Sequence, residues 1–481
     1  MLMLRRKAVF LRRKGAFLPM RLSLKPKTLN MTEGNIFKLI VSFAIPLLIG
    51  SLFQLLYNVV DSLVIGNFEG SAALAAVGIG HYPQNIVVNF FLGLGTGVTV
   101  LVSQFFGAAD ERSVKKVIDT ANTLILAASP ILMVGGYFLT APILRGMNTP
   151  DDSFAEAYAY LVVLFLGIAG TLGYNLNAGI LRGMGDSISP LIFLIIACGI
   201  NIVLDLLFIG WFGWSCLGAG LATIIAQWCS WIFSILFINK KYPQYKIRIW
   251  PLAFHKDVFG RMMKIGLPLA FNSGLFALGH TMLSSLVNSH GTAFAAGYNV
   301  CSKLDSITWL GLSSFASAVT TFAGQNVGAG KNDRLMEGLK KGMLLALLTT
   351  VVTSLALVLP APWLFSLFDN NPAVIAAGTA AMYRFEPLYV IYAFFYVLTC
   401  FLNGVGDVKI PFIANLVLFW AIRLPAAYAL SYFFRPEDLF FCYPISWVGG
   451  LAIVLPYFLS GKWKRFLVLP KEKETIPADG E

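Results

Sequence analysis

Charge is what this chain has least of. Asp, Glu, Lys and Arg together make up 12% of 481 residues, about half the share of a soluble protein. With 57% of positions hydrophobic, no soluble core has room for the apolar surface. A soluble globular class is excluded. The alternating ten-residue strands of an outer-membrane barrel are missing too. Cysteine is sparse: Cys198, Cys216, Cys229, Cys301, Cys400 and Cys442 stand singly, with no CxxC pair. That excludes a disulfide framework or a cysteine metal site and leaves packing roles. Nucleotide motifs are lacking as well. Gly328-Ala329-Gly330-Lys331 superficially suggests a phosphate loop, but the preceding glycines are misplaced and Asn332 replaces the required Ser or Thr. The chain carries no ATP motor and no sign of an enzyme. The net charge of +12 is concentrated at one end. Arg5, Arg6, Lys7, Arg12, Arg13, Lys14, Arg21, Lys25 and Lys27 stand within residues 1–30 without a single acid, leaving about +3 elsewhere. No folded basic domain exists to hold nucleic acid, and no signal-peptide core is visible in that segment.

What is there is a succession of apolar runs about 20 residues long, the length of a membrane-crossing helix. Twelve are expected, near 36–66, 72–106, 117–140, 155–178, 189–211, 217–239, 262–288, 292–327, 342–368, 377–402, 411–434 and 440–460. His81-Tyr82-Pro83 and the series Gly93, Gly95, Gly97 predict breaks in the second. The fold class is an all-α polytopic membrane protein. Lys and Arg crowd one set of loops, among them Lys115, Lys116, Arg182, Lys240, Lys241, Lys331, Lys409 and Lys464. The positive-inside rule then puts both termini in the cytoplasm and the chain in the inner, or plasma, membrane.

The chain repeats itself. Ile45-Pro46-Leu47 matches Leu267-Pro268-Leu269. Gln104 and Gly107-Ala108 match Gln325 and Gly328-Ala329. Gly183-Met184-Gly185-Asp186 matches Gly404-Val405-Gly406-Asp407. The offset stays at about 221 residues. Six helices per half means that both halves enter the membrane in the same sense, so a pseudo-two-fold along the membrane normal is expected. The divisions are a basic tail over 1–30, a first lobe over 31–240, a cytoplasmic loop over 241–261, a second lobe over 262–461 and a tail from 462. The substrate path runs between the lobes.

Asp61 lies inside the first span. A carboxylate there costs about 2.5–3.5 kcal/mol on insertion scales and persists where it faces a cavity, a partner or an ion. Asp205 lies in the fifth span at a matching depth, about 7–8 Å below the outer rim. Asn201, four residues earlier, shares its helix face. Thr223 falls at similar depth in the sixth span. Four oxygen-bearing side chains converge, suited to a hard cation such as Na+, or to a shared proton. Asp61 and Asp205 are metal ligands only in the Na+ case. The offset lands on no carboxylate in the second half, so the ion site is expected in the first lobe alone. Pro46, below Asp61, permits a bend that couples ion binding to helix movement. Gln54, Tyr57 and Asn58, with His280, Lys303, Asp305 and Arg423 of the second half, are candidates for a substrate cavity.

These residues together resemble the multidrug and toxic compound extrusion (MATE) family over about residues 31–460. The resemblance rests on Pro46, Tyr57 to Asp61, Gln104 to Ala108, Arg182 to Asp186, Asn201 to Asp205, Gly324 to Ala329 and Asn403 to Asp407. It implies two six-helix lobes in a V and export of drug-like, cationic or amphiphilic compounds in exchange for H+ or Na+. It also implies a first-lobe cation site at Asp61, Asn201, Asp205 and Thr223, with the helix bend at Pro46. Relatives with acids in helices seven and ten have no match at His280-Thr281 and Ile391-Tyr392. The expected partners are a small-molecule substrate and membrane lipid, with no cofactor and a monomeric state. The alternatives are a lipid-linked oligosaccharide flippase of the same superfamily, which needs a strongly cationic central cavity, and a channel or receptor.

Overall fold

The computed structural model describes residues 28–147, 149–248 and 250–467, with no side-chain description for Asn58, Ser71, Ala72, Leu74, Ala75, His81 and Tyr82. Most of the expected basic tail, the C-terminal tail beyond residue 467 and the side chain of Asn58 lie outside the described residues.

The described chain is helical throughout. The first six helices are α1 (Ile36–Phe68), α2 (Gly70–Gly107), α3 (Glu111–Gly146), α4 (Asp151–Leu166 and Ile168–Gly183), α5 (Ile188–Trp211) and α6 (Ser215–Lys241). The second six are α7 (Lys256–Asn288), α8 (Thr292–Gly328), α9 (Asn332–Val358), α10 (Pro372–Val405), α11 (Lys409–Phe433) and α12 (Pro436–Leu459). Ten are long and apolar enough to cross a bilayer, and α4, bent by 50° at Gly167, makes an eleventh. The remaining helix, α8, spans 37 residues. A polar stripe, described below, explains why it falls short of that apolarity.

The helices form two lobes with separate cores, one drawn mainly from α2–α6 and one from α8–α12. The first helix of each half crosses between them. In α1, Ile36 to Ala44 join the core of the second lobe, whereas Val64 and Ile65 join that of the first. In α7 the exchange is mirrored: Val258 to Leu269 pack in the first lobe, Leu283 and Val287 in the second. Packing therefore crosses the division expected near residues 241–261. Pro46 and Pro268, the repeat's matching prolines, each stand just before the stretch in which its helix passes from one core to the other.

No break occurs in α2, which runs unbroken through Pro83 to Gly107. Its glycines serve close approach instead. A β-carbon on Gly93 would lie 2.4 Å from the Cα of Ala270, and one on Gly97 2.5 Å from the Cα of Gly266. The bend lies elsewhere, at Gly167, while the helix type changes at Glu386–Leu388 within α10 and at π-helical stretches in α5 (Leu206–Trp211) and α11 (Val417–Arg423).

On the face carrying the basic loops the lobes close on each other. Gln104 donates from Nε2 to the carbonyl oxygens of Gly404 (3.1 Å) and Val405 (3.0 Å). Its repeat partner Gln325 donates to Gly183 O at 3.0 Å and accepts from Met31 N at 2.9 Å. The end of the basic tail belongs to this closure: Leu29 N donates to Gly185 O at 3.1 Å, and Thr28 meets the Tyr242 hydroxyl at 2.8 Å. Gly185 and Gly406 take φ of +88° and +100°, values that glycine adopts freely. After the first of these turns, Asp186 caps α5 by accepting from Ser189 N (2.9 Å) and Oγ (2.7 Å), and Lys241 Nζ pairs with it at 2.9 Å.

Candidate functional site

The acids of the first lobe meet. Asp61 on α1 and Asp205 on α5 are within hydrogen-bonding reach of each other. Asp205 is fully buried and Asn201 nearly so. With its amide oriented to satisfy both ends, Asn201 donates to Asp205 Oδ2 at 2.8 Å, and its oxygen accepts from Thr223 N at 3.2 Å. The hydroxyl of Thr223 lies 3.2 Å from that of Tyr57. All four residues expected from the sequence thus join one cluster from α1, α5 and α6, and Tyr57 is added to it.

The cluster is incompletely satisfied. Among the described residues, Asp61 Oδ1 and Asp205 Oδ1 are buried and have no hydrogen-bond donor. Buried polar atoms usually find a partner, so an orphaned oxygen on each of two touching carboxyls calls for an explanation. Two carboxyls this close cannot share a contact while both are bare anions; a proton or a metal cation between them relieves the repulsion. The π-helical stretch begins directly after Asp205, at Leu206, a distortion common at functional sites.

A cavity of about 250 Å³ lies between the lobes beside this cluster. It is bounded by Pro46, Gly50 and Gln54 of α1, Tyr174 and Arg182 of α4, and Ser313, Ser314 and Ser317 of α8. Arg182 alone is charged among its lining residues. Gln54 and Leu194 also line a smaller recess that ends at Tyr57. Gln54 therefore lines both the inter-lobe cavity and the recess that reaches Tyr57 of the acid cluster. Nothing in the sequence singled out Arg182 as cavity-lining, because its place follows from the turn of α4.

The second lobe has a cavity of its own, about 360 Å³, lined by His280, Asp305 and Arg423 together with a wall of aromatic rings. Three of the second-lobe candidates therefore come together. Lys303 does not: it is exposed and points away from that lining. On a helix, two residues apart means different faces. Gln54 and Tyr57 belong to the first-lobe recess instead, so the substrate candidates divide between two places. The offset pointed to no acid here, yet Asp305 touches Glu386. Glu386 sits at the break in α10 and accepts from Thr308 (2.7 Å) and Ser354 (3.1 Å). Sequence reasoning missed this pair because its acids come from α8 and from a helix break, not from positions equivalent to Asp61 and Asp205. One signal was available. Tyr298, Ser302, Asp305, Ser306 and Trp309 recur at helical spacing and form one polar and aromatic stripe of α8.

Two six-helix lobes, crossed by their first helices with a polar cavity between them, are the architecture of a membrane transporter. The chain belongs to the MatE family. The MatE profile matches residues 46–207 and again 268–429, two copies whose starts are 222 residues apart (46 and 268), in agreement with the internal repeat. The chain is 28% identical over 439 residues to the probable multidrug resistance protein YpnP of Bacillus subtilis, covering 91% of this chain and 98% of that one. It is 24% identical over 476 residues to the probable multidrug resistance protein NorM of Thermotoga maritima, covering 94% and 99%. Among solved structures it superposes on an outward-facing multidrug resistance MATE family transporter of the MOP superfamily, with TM-score 0.83, 21% identity and coverage of 92% and 98%. A MOP superfamily transporter from Pyrococcus furiosus gives the same TM-score, identity and coverage. These structural likenesses carry the fold. Among the described residues no group of three or more His, Cys, Asp or Glu forms a metal-binding cluster.

Proposed function

We propose that this chain is a secondary antiporter that exports drug-like, cationic or amphiphilic compounds in exchange for H+ or Na+. The observation that carries the reading is the contact between Asp61 and Asp205, each with one orphaned oxygen. A proton or Na+ fits between them, with Asn201 and Thr223 supplying further oxygen ligands or hydrogen bonds. Closure on the basic-loop face, if that face is cytoplasmic, corresponds to the outward-facing state. In that state the cation loads at Asp61 and Asp205 and favours substrate release. When the lobes rock about the crossing helices, with Pro46 at the bend, the cation is discharged inside. The names of the relatives support multidrug export.

The flippase alternative requires a strongly cationic central cavity for a pyrophosphate. The single Arg182 among serines and Gln54 favours the antiporter. The experiment is export of a fluorescent organic cation from proteoliposomes under separately imposed Na+ and proton gradients. One gradient should drive export, and Asp61→Asn and Asp205→Asn, reconstituted at equal amounts, should each abolish it. Full gradient-driven export by both variants would end the proposal.

A further inference from the structure

The second-lobe cavity is a built site whose chemistry differs from that of the first lobe. Arg423 is 2% exposed. Its guanidinium stands over the rings of Phe419 and Tyr443, 4.8 and 4.5 Å from their centroids, and its Nε donates to Ser446 Oγ at 3.0 Å. Among the described residues no carboxylate lies within ion-pair distance of it. A buried charge without a counter-ion costs several kcal/mol. A guanidinium has no escape by losing its proton. The nearby acids do have one. Asp305 and Glu386 touch each other, and Thr308 and Ser354 donate to Glu386. A touching carboxyl pair holds a proton between its members and so carries at most one net negative charge. That charge acts on Arg423 only from beyond ion-pair distance, so the guanidinium fork has no carboxylate bonded to it in the cavity. Arg423 closes the π-helical stretch of α11, a local distortion that often marks a functional position. Trp309, Tyr392 and Trp447 provide flat apolar walls around it.

We propose that this cavity binds an aromatic molecule bearing a carboxylate, its anionic group held by the fork of Arg423 and its ring stacked among the tryptophan and tyrosine side chains. A planar carboxylate matches the guanidinium in two parallel hydrogen bonds. The ligand enters beside Asn299 and Ser302, the exposed lining residues on α8. That such a ligand is exported rests on the antiporter reading; that it binds does not.

The test is equilibrium binding to the whole chain in lipid nanodiscs, read by quenching of tryptophan fluorescence, since Trp309 and Trp447 line the cavity. The probes are 2-naphthoate and its cationic near-isostere 2-naphthylmethylammonium. Naphthoate should quench saturably and bind more tightly than the ammonium. Arg423→Gln should weaken naphthoate by about tenfold or more, the scale of a lost charged hydrogen-bond pair. Asp305→Asn removes the carboxyl that competes for Arg423 and should tighten naphthoate binding, a result that a damaged fold would not give; weaker binding would count against the proposal. Asp61→Asn should bind naphthoate like the wild type even where export is lost, so that failure of the antiporter reading and failure of this one are told apart. Tighter binding of the ammonium, non-saturable quenching, or an Arg423→Gln variant that binds naphthoate normally would each overturn the proposal. If Arg423→Gln does not fold, the charge preference of the wild type and the response of Asp305→Asn decide.

Discussion

Gly107 and Gln325 approach so closely across the lobe boundary that a β-carbon on Gly107 would lie 2.0 Å from the Gln325 carbonyl oxygen. The repeat copies the contact: a β-carbon on Gly328 would lie 1.8 Å from the carbonyl oxygen of Gln104. Backbone fills both places, so no side-chain movement relieves the overlap. Gly107→Ala and Gly328→Ala should disfavour closure of this face by about 1–3 kcal/mol, the cost of overpacking a close contact. Cysteine cross-linking between the ends of α2 and α8 should report a more open basic-loop face, with transport reduced in step. Wild-type cross-linking in both variants would refute this.

The glutamines make the complementary case. Gln104→Ala removes two hydrogen bonds to the last carbonyls of α10, and Gln325→Ala removes those to Gly183 and Met31. Each deletion should weaken the closed face by about 1–3 kcal/mol, since carbonyls on the far lobe lose their donor. Thermal stability should fall modestly, while exchange of the backbone amides of residues 29–31 with deuterium should quicken in Gln325→Ala. Unchanged exchange there would mean that the side chain does not hold the segment.

Asp186 is buried and compensated by Lys241 and by the first turn of α5. Asp186→Ala strands the ammonium and uncaps the helix together. A loss of about 1–3 kcal/mol is expected, because Lys241 keeps access to water while the first turn of α5 loses its acceptor. The midpoint of thermal unfolding in detergent should drop by several degrees or the protein should fail to accumulate. Asp186→Ala with a wild-type midpoint would show the pair to be inert.

Within the acid cluster, Thr223→Val removes one hydroxyl from the Tyr57 contact and leaves both carboxyls in place. Folding should survive, at a cost of about 0.5–1.5 kcal/mol for one hydrogen bond. Gradient-driven export should be reduced without being abolished, in contrast to Asp61→Asn. A Thr223→Val variant as dead as Asp61→Asn would give the threonine a larger part than a supporting ligand.

Much of the architecture was legible beforehand. The apolar runs set the number of helices because a bilayer admits only one kind of segment at that length. The constant offset gave the two-fold relation, since matching motifs mark matching places. Asp61, Asn201, Asp205 and Thr223 were found because acids are rare inside such runs, and depth along a helix is simple arithmetic.

The sequence by itself determined the class of the protein, its helices, its repeat and the first-lobe acid cluster, all of them consequences of periodicity and of the cost of charge in an apolar run. Only the tertiary structure decided that α1 and α7 exchange lobes beyond Pro46 and Pro268, that the glycines of α2 meet α7 instead of breaking a helix, and that Asp305 finds Glu386 while the fork of Arg423 faces a cavity with no carboxylate bonded to it. Those are relations between residues far apart in the chain, and they depend on which helix faces pack together, which no local pattern of residues specifies.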